Sequence, residues 1–79
     1  DPVANVNAAN VAMRRGDLKS ARFYLERAGS IPESIYARGV LAAMEGDSET
    51  AKSCLKAAEA FGIEQAGGEL DKINHINQL

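Results

Sequence analysis

The feature that most constrains this chain is a segment that occurs twice. The stretch GDLKSARFYLERA begins at Gly16, and GDSETAKSCLKAA begins thirty residues later at Gly46. A fixed period of roughly 20 to 50 residues is typical of folds built from stacked structural repeats. A shift of thirty residues superimposes Ala12 on Ala42, Gly16 on Gly46, Asp17 on Asp47, Ala21 on Ala51, Leu25 on Leu55 and Ala28 on Ala58. The sequence therefore predicts two similar structural units within its 79 residues.

Both copies carry apolar residues at helical spacing. The stripe is Leu18, Ala21, Leu25 and Ala28 in the first copy, and Ala51, Cys54, Leu55, Ala58 and Phe61 in the second. A single apolar face at this spacing predicts an amphipathic helix. Each Gly-Asp pair predicts a corner, because glycine can adopt the positive φ that ends a helix and aspartate can cap the next one. We predict helices over residues 3–15, 18–28, 31–45, 48–61 and 64–77.

The junction between the two units carries its own capping signal. Gly29 can end the second helix, and the sequence Ser30-Ile31-Pro32-Glu33 follows it directly. Ser30 is predicted as the N-cap, with Glu33 reaching back to it in a capping box. Near the other end, Gly67 and Gly68 mark either a close helix contact or a break, with the last helix beginning at Glu69.

These elements predict an all-α fold of stacked antiparallel helix hairpins, with about five helices. The chain is interpreted as one domain, with unit one at 3–29, unit two at 31–61 and a capping helix at 64–77. Because the sequence starts at Asp1-Pro2 and not at Met, we expect a segment of a longer protein or a processed protein. Because repeat arrays need capped ends, the capping helix is expected to place this segment at or near the end of its parent.

The residues at the corners and along the second helices resemble the tetratricopeptide repeat. In the first copy the match is carried by Gly16, Asp17, Leu18, Ala21, Tyr24, Leu25 and Ala28. In the second it is carried by Gly46, Asp47, Ala51, Leu55 and Ala58, with Cys54 where the family often has an aromatic residue. The period of thirty is shorter than the roughly 34 residues of that family, and about one helical turn is missing after Ala28. The motif spacing is also similar to repeat blocks of some bacterial cell-envelope proteins, which implies a periplasmic or envelope location.

The resemblance implies that the first helix of each unit lines a concave surface that binds a protein or peptide. By register, this surface would present Val6, Asn10, Met13, Arg14, Glu33, Tyr36, Val40, Ala43 and Met44. The candidate partner-binding residues are Asn10, Arg14, Tyr36, Val40 and Met44. The partner would be a separate protein or peptide, or another domain of the same chain. The alternative is that Val6, Met13, Val40 and Met44 are core, and that Arg14 and Tyr36 are only solvated.

Other classes of function find little support in the sequence. The net charge is −2 with no basic face, so we expect no nucleic-acid partner. No apolar run approaches the roughly 18 residues of a membrane span, so we expect no direct membrane insertion. A single cysteine, Cys54, and a single histidine, His75, predict no catalytic residues, no metal site and no cofactor, and Cys54 is expected to be buried as a small hydrophobic residue. We therefore predict that the chain is not an enzyme, with a structural C-terminal cap or an oligomerisation element as the alternative to a binding module.

Overall fold

The computed structural model describes residues 1–63 together with Gly67, Gly68, Leu70 and Ile73. It contains four complete helices: α1 (Pro2–Arg14), α2 (Leu18–Ala28), α3 (Pro32–Met44) and α4 (Ser48–Ala60). Each lies within one residue of its predicted bounds, and no strand occurs in the part of the chain that the structure describes. The predicted all-α class is therefore confirmed.

Most of the predicted helix over 64–77 falls outside the described residues. The four described positions within it are all helical. Because Gly67 and Gly68 are among them, the interpretation in which the helix begins only at Glu69 is wrong. A Cβ atom on Gly67 would lie 2.6 Å from Glu59 Oε2, which is the far end of a flexible side chain on α4. The close helix contact at this glycine therefore stays a prediction.

The two corners within the hairpins are built in the same way. Gly16 and Gly46 have φ of 77° and 83°, and the aspartate that follows each glycine caps the next helix. Asp17 accepts a hydrogen bond from the Ser20 backbone N–H at 3.1 Å, and Asp47 accepts one from the N–H of Thr50 at 3.2 Å. Local chemistry thus fixes both turns, as the Gly-Asp pairs predict.

The junction between the units differs from its prediction by one residue. The N-cap of α3 is Ile31, and Pro32 occupies the first helical position, where its missing N–H is not needed. Ile31 has no side-chain acceptor, so the buried hydroxyl of Ser34 accepts the Ile31 N–H at 2.9 Å and lies 2.6 Å from the Gly29 carbonyl oxygen. The predicted capping box of Ser30 and Glu33 is therefore wrong, because the helix starts one residue later.

The apolar residues form two clusters, one around each second helix. The first joins Ala21, Leu25 and Ala28 of α2 to residues of α1 and to Ala37 and Leu41 of α3. The second contains Leu55, Ala58 and Leu70, with Ile35, Tyr36, Ile63 and Ile73 packed against it. Helix α3 thus contacts α1, α2 and α4 and holds the two hairpins together.

Two residues of the predicted α4 stripe do not lie in this core. Phe61 is the C-cap of α4 and is 63% exposed, and Cys54 is half-buried. The prediction that Cys54 is a buried small hydrophobic residue is therefore wrong. The buried part of the stripe is Ala51, Leu55 and Ala58, and Phe61 lies past the end of the helix at Ala60.

Candidate functional site

One groove lies between the first helices of the two units. It has a volume of about 660 Å³ and an open, mostly apolar lining. Since α1 and α3 are each joined to α2 by only three residues, the two run in roughly the same direction along it. The groove is lined by Val3, Val6, Asn7, Asn10, Met13 and Arg14 from α1, by Glu33, Tyr36, Ala37, Val40 and Met44 from α3, and by Ile63.

The repeat itself generates this lining. A shift of thirty residues carries five α1 positions of the groove onto five α3 positions, and carries Glu33 onto Ile63. The pairs are Val3 with Glu33, Val6 with Tyr36, Asn7 with Ala37, Asn10 with Val40 and Arg14 with Met44. The groove is therefore one surface of the repeat, presented by successive units.

All five candidate residues from the sequence lie on this groove. Asn10, Tyr36 and Val40 are half-buried, whereas Arg14 and Met44 are exposed, Met44 by 47%. Tyr36 also packs against the second core cluster. The structure therefore brings the candidates together on one surface, and the contact of each with a partner stays a prediction.

The wider set of predicted groove residues divides between core and surface. Val6 and Met13 touch the groove but are only 4% and 6% exposed, and both belong to the first core cluster. For these two, packing is the main role. Ala43 does not line the groove, which corrects its prediction. Its single methyl group is exposed elsewhere, whereas Met13 at the equivalent position reaches the groove with a longer side chain.

Four lining residues were not predicted to line the groove: Val3, Asn7, Ala37 and Ile63. Helical spacing could have found the first three, because residues three and four apart share one face of a helix. The thirty-residue shift from Glu33 could have found Ile63. The signal was present in the pattern of the repeat.

Opposite charges lie at the two ends of the groove. Arg14 is in the last turn of α1 and Glu33 in the first turn of α3, where the helix dipoles favour these signs. Neither forms a salt bridge within the described ranges. Glu33 is equivalent to position 3 of the first unit, eleven steps before Arg14, and at about 1.5 Å per step this is a displacement of roughly 16 Å along the helix axis. An extended peptide covers that distance with about five residues.

Three comparisons with known proteins returned nothing: no protein-family model, no curated protein and no solved structure matches this chain. The groove and the repeat are therefore the features from which a function can be argued.

The remaining reactive groups of residues 1–63 and of the four described positions after them do not form a recognisable site. Among the described residues, no three His, Cys, Asp or Glu side chains are placed to hold a metal ion. Cys54 is half-buried on α4, and His75, its one candidate partner for nucleophilic chemistry, lies outside the described residues. No helix within the described ranges is long and apolar enough to cross a membrane.

Proposed function

We propose that this domain is a non-enzymatic protein-interaction module, similar in kind to a tetratricopeptide repeat, that binds an extended peptide segment in the groove between α1 and α3. The observation that carries the proposal is the lining by equivalent positions of two repeat units, with Met44 47% exposed and Val40 half-buried on it. A methionine side chain adapts to apolar ligands of varied shape. Such a surface suits a partner with apolar side chains.

The charges suggest how a bound peptide would be oriented. An arginine can hold a carboxylate with two hydrogen bonds. We infer that an acidic group of the ligand lies near Arg14 and a basic group near Glu33, with about five residues of extended chain between them. The amide of Asn10, midway along α1, offers both a donor and an acceptor to the peptide backbone.

Selection of peptides from a random displayed library on the 79-residue domain tests this proposal. Fluorescence anisotropy then measures the affinity of each selected peptide for a double variant, Arg14→Glu with Met44→Glu. Both side chains are exposed, so the fold should survive, whereas Tyr36 is left unchanged because it packs against the core. We expect affinity to fall at least about tenfold, which corresponds to roughly 1.4 kcal/mol.

The matched control is Ser53→Glu with Lys56→Glu on the exposed face of α4, which changes the net charge by the same amount. It should bind the selected peptides as the parent domain does. If both double variants weaken peptide binding equally, then the loss is a general effect of net charge and the groove is not the binding site. Failure to select any peptide on the folded domain would also contradict the proposal.

A structural cap is the second candidate, and one observation favours it. Leu70, which follows α4 in the sequence, is buried in the second core cluster with Leu55 and Ala58, and Ile73 packs against that cluster. A terminal unit of a repeat array needs such a cover. If this is the whole role, Leu70→Ala should strongly destabilise the domain while no ligand is found, and an oligomerisation role would show as a mass that rises with concentration.

A further inference from the structure

The two hairpins meet along a seam in which α3 receives α2. Three α3 residues on one face make the contact. Leu41 is 5% exposed within the first core cluster, Arg38 Nη2 donates to the Leu25 carbonyl oxygen at 3.0 Å, and Glu45 pairs with Arg22. We call Arg38, Leu41 and Glu45 the seam residues. They are spaced by three and four positions, as one face of a helix requires.

The same face exists one unit earlier and is open. A shift of thirty residues carries the seam residues onto Ala8 and Val11 of α1 and onto Arg15, the residue that follows α1. These three residues help to line a second, shallow cavity of about 300 Å³, which shares no residue with the peptide groove. Val11 is 43% exposed, whereas Leu41 at the equivalent position is 5% exposed. In the described part of the chain, nothing covers the edge of unit one as α2 covers that of unit two.

We propose that this upstream edge docks the second helix of a further helical hairpin in the same thirty-residue register. The contacts of α2 with the seam residues indicate which side chains the docking helix should carry. It should place a leucine-sized residue over Val11 and a small residue one turn later, since α2 contributes Leu25 and Ala28 to the cluster that contains Leu41. Its charge should be reversed, because Arg15 stands where unit two has Glu45. The docking helix therefore carries an acidic residue at the position that Arg22 occupies in α2.

A second copy of this chain is a poor occupant by the same reasoning. In a head-to-tail pair, α4 would have to dock as α2 does. The α4 residues equivalent to Leu25 and Ala28 are Leu55 and Ala58, and both are already buried in the cluster with Leu70. Lys52 stands at the position of Arg22, so it would face Arg15 with the same charge. Like charges in contact are destabilising.

The test extends the chain in its own register. Residues 1–30 are duplicated ahead of Asp1, so that the added Ser30 joins the original Asp1 and the period stays at thirty. One version carries Arg22→Glu in the added copy, and a second keeps Arg22 there. A third adds Val11→Lys in the original copy to the first version. The 79-residue chain, with and without Val11→Lys, is the reference.

Docking predicts one cooperative unfolding transition for the Arg22→Glu version, with a larger denaturant slope than that of the original chain. Hydrogen exchange of the original α1 amides should slow by roughly tenfold. The midpoint should be lower when Arg22 is kept, by a difference that shrinks in about 1 M salt. Val11→Lys should abolish the gain in the extended chain and leave the original chain nearly unchanged, since Val11 is exposed there.

Three results would overturn the proposal. If the added hairpin unfolds in a separate transition and hydrogen exchange of the original α1 amides is unchanged, then this edge is not a docking surface. Equal unfolding midpoints for the extended versions with and without Arg22→Glu would show that the docking helix does not need an acidic residue opposite Arg15. An original chain that dimerises, and loses the dimer on Val11→Lys, would assign the edge to a second copy. Because Val11 and Arg15 do not line the peptide groove, none of these outcomes bears on peptide binding.

Discussion

Gly39 of α3 lies so close to Leu55 of α4 that a Cβ atom on residue 39 would stand 2.7 Å from Leu55 Cγ. The same atom would lie 3.3 Å from the Cβ of Cys54. Leu55 is fully buried in the second core cluster, so it has little room to move. The second hairpin therefore requires a residue without a side chain at this point, and the two helices pack at close range.

We expect Gly39→Ala to destabilise the domain, although alanine favours helices. The gain in helix propensity is about 1 kcal/mol, and overpacking a tight core costs about 1–3 kcal/mol. The net loss of unfolding free energy should therefore lie between about 0 and 2 kcal/mol, and we expect about 1–2 kcal/mol because Leu55 has little room to move. Urea unfolding followed by circular dichroism measures it.

The control for that substitution is Gly68→Ala, because Gly68 is also helical and a Cβ atom there would meet nothing within 4 Å. It should be neutral or stabilising by up to about 1 kcal/mol. A Gly39→Ala variant as stable as Gly68→Ala would mean that α3 and α4 can separate without penalty, and the close-packing interpretation would be wrong.

Ser34 should matter more to stability than Ser30, although the sequence favours Ser30 as the cap. Ser34 is fully buried, and its hydroxyl both accepts the Ile31 N–H and approaches the Gly29 carbonyl oxygen. Ser34→Ala would leave these backbone groups without that partner, and we expect a loss of about 1–2 kcal/mol in unfolding free energy.

Ser30→Ala serves as the matched control, since Ser30 is exposed just outside the helix. Its effect should stay within about 0.5 kcal/mol, the usual range for surface changes. If chemical denaturation instead ranks Ser30→Ala as the more damaging change, then the cap lies where the sequence places it and not at Ile31.

The helices were predictable because their boundaries are set locally. A glycine with positive φ and an aspartate that bonds the N–H three residues on need no information from the rest of the fold. The start of α3 is different. Its N-cap, Ile31, has no side-chain acceptor, so only the N3 residue Ser34 makes the capping hydrogen bond, to the Ile31 N–H. The capping-box rule looks for a polar side chain at the N-cap and therefore selects Ser30, one residue too early.

The groove was predictable in outline, because the repeat places equivalent residues of α1 and α3 on one side. The sequence pattern could not predict which of these residues are buried in the core and which are exposed on the groove. Val6 and Met13 follow the same spacing as Asn10 and Arg14, but packing within the first core cluster buries them. The exposure of Met44 likewise depends on where α3 ends and what lies beyond it.

The two aspartate caps should make stability depend on acidity. Hydrogen bonds from the side chain and backbone of Ser20 lower the pKa of Asp17 below its ordinary value of 3.8, and hydrogen bonds from Thr50 lower the pKa of Asp47 in the same way. A carboxyl with a lower pKa in the folded state stabilises the fold above the unfolded pKa. This contribution is lost as pH falls below about 4 and through the folded values.

The double variant Asp17→Asn with Asp47→Asn tests this pH dependence, because asparagine still caps a helix but does not ionise. Urea midpoints measured from about pH 7 to about pH 2.5 should fall less steeply for the variant than for the parent chain. Glu26→Gln removes an exposed carboxylate that caps no helix, and its profile should follow that of the parent. Parallel acid profiles for the parent and the double variant would show that the caps do not cause the acid loss.

Arg38 should be the polar residue that contributes most to holding the two hairpins together. Its guanidinium donates to the carbonyl oxygen of Leu25, which lies in the last turn of α2, where carbonyls lack partners within the helix. Arg38→Met keeps an apolar stem that can pack but removes this charged hydrogen bond. We expect a loss of about 1–2 kcal/mol in unfolding free energy, with faster hydrogen exchange in both α2 and α3.

Arg27→Met is the comparison for Arg38→Met, because Arg27 is exposed and its guanidinium lies over the Phe23 ring of its own helix, 5.6 Å from the centroid. An exposed contact of this kind contributes at most about 1 kcal/mol. Arg38→Met should therefore be the more destabilising change, and it should loosen α3 as well as α2. If the two variants lose equal stability and exchange rises only in α2, then the hairpins are held by Ala37 and Leu41 packing on α2, and the hydrogen bond is incidental to the seam.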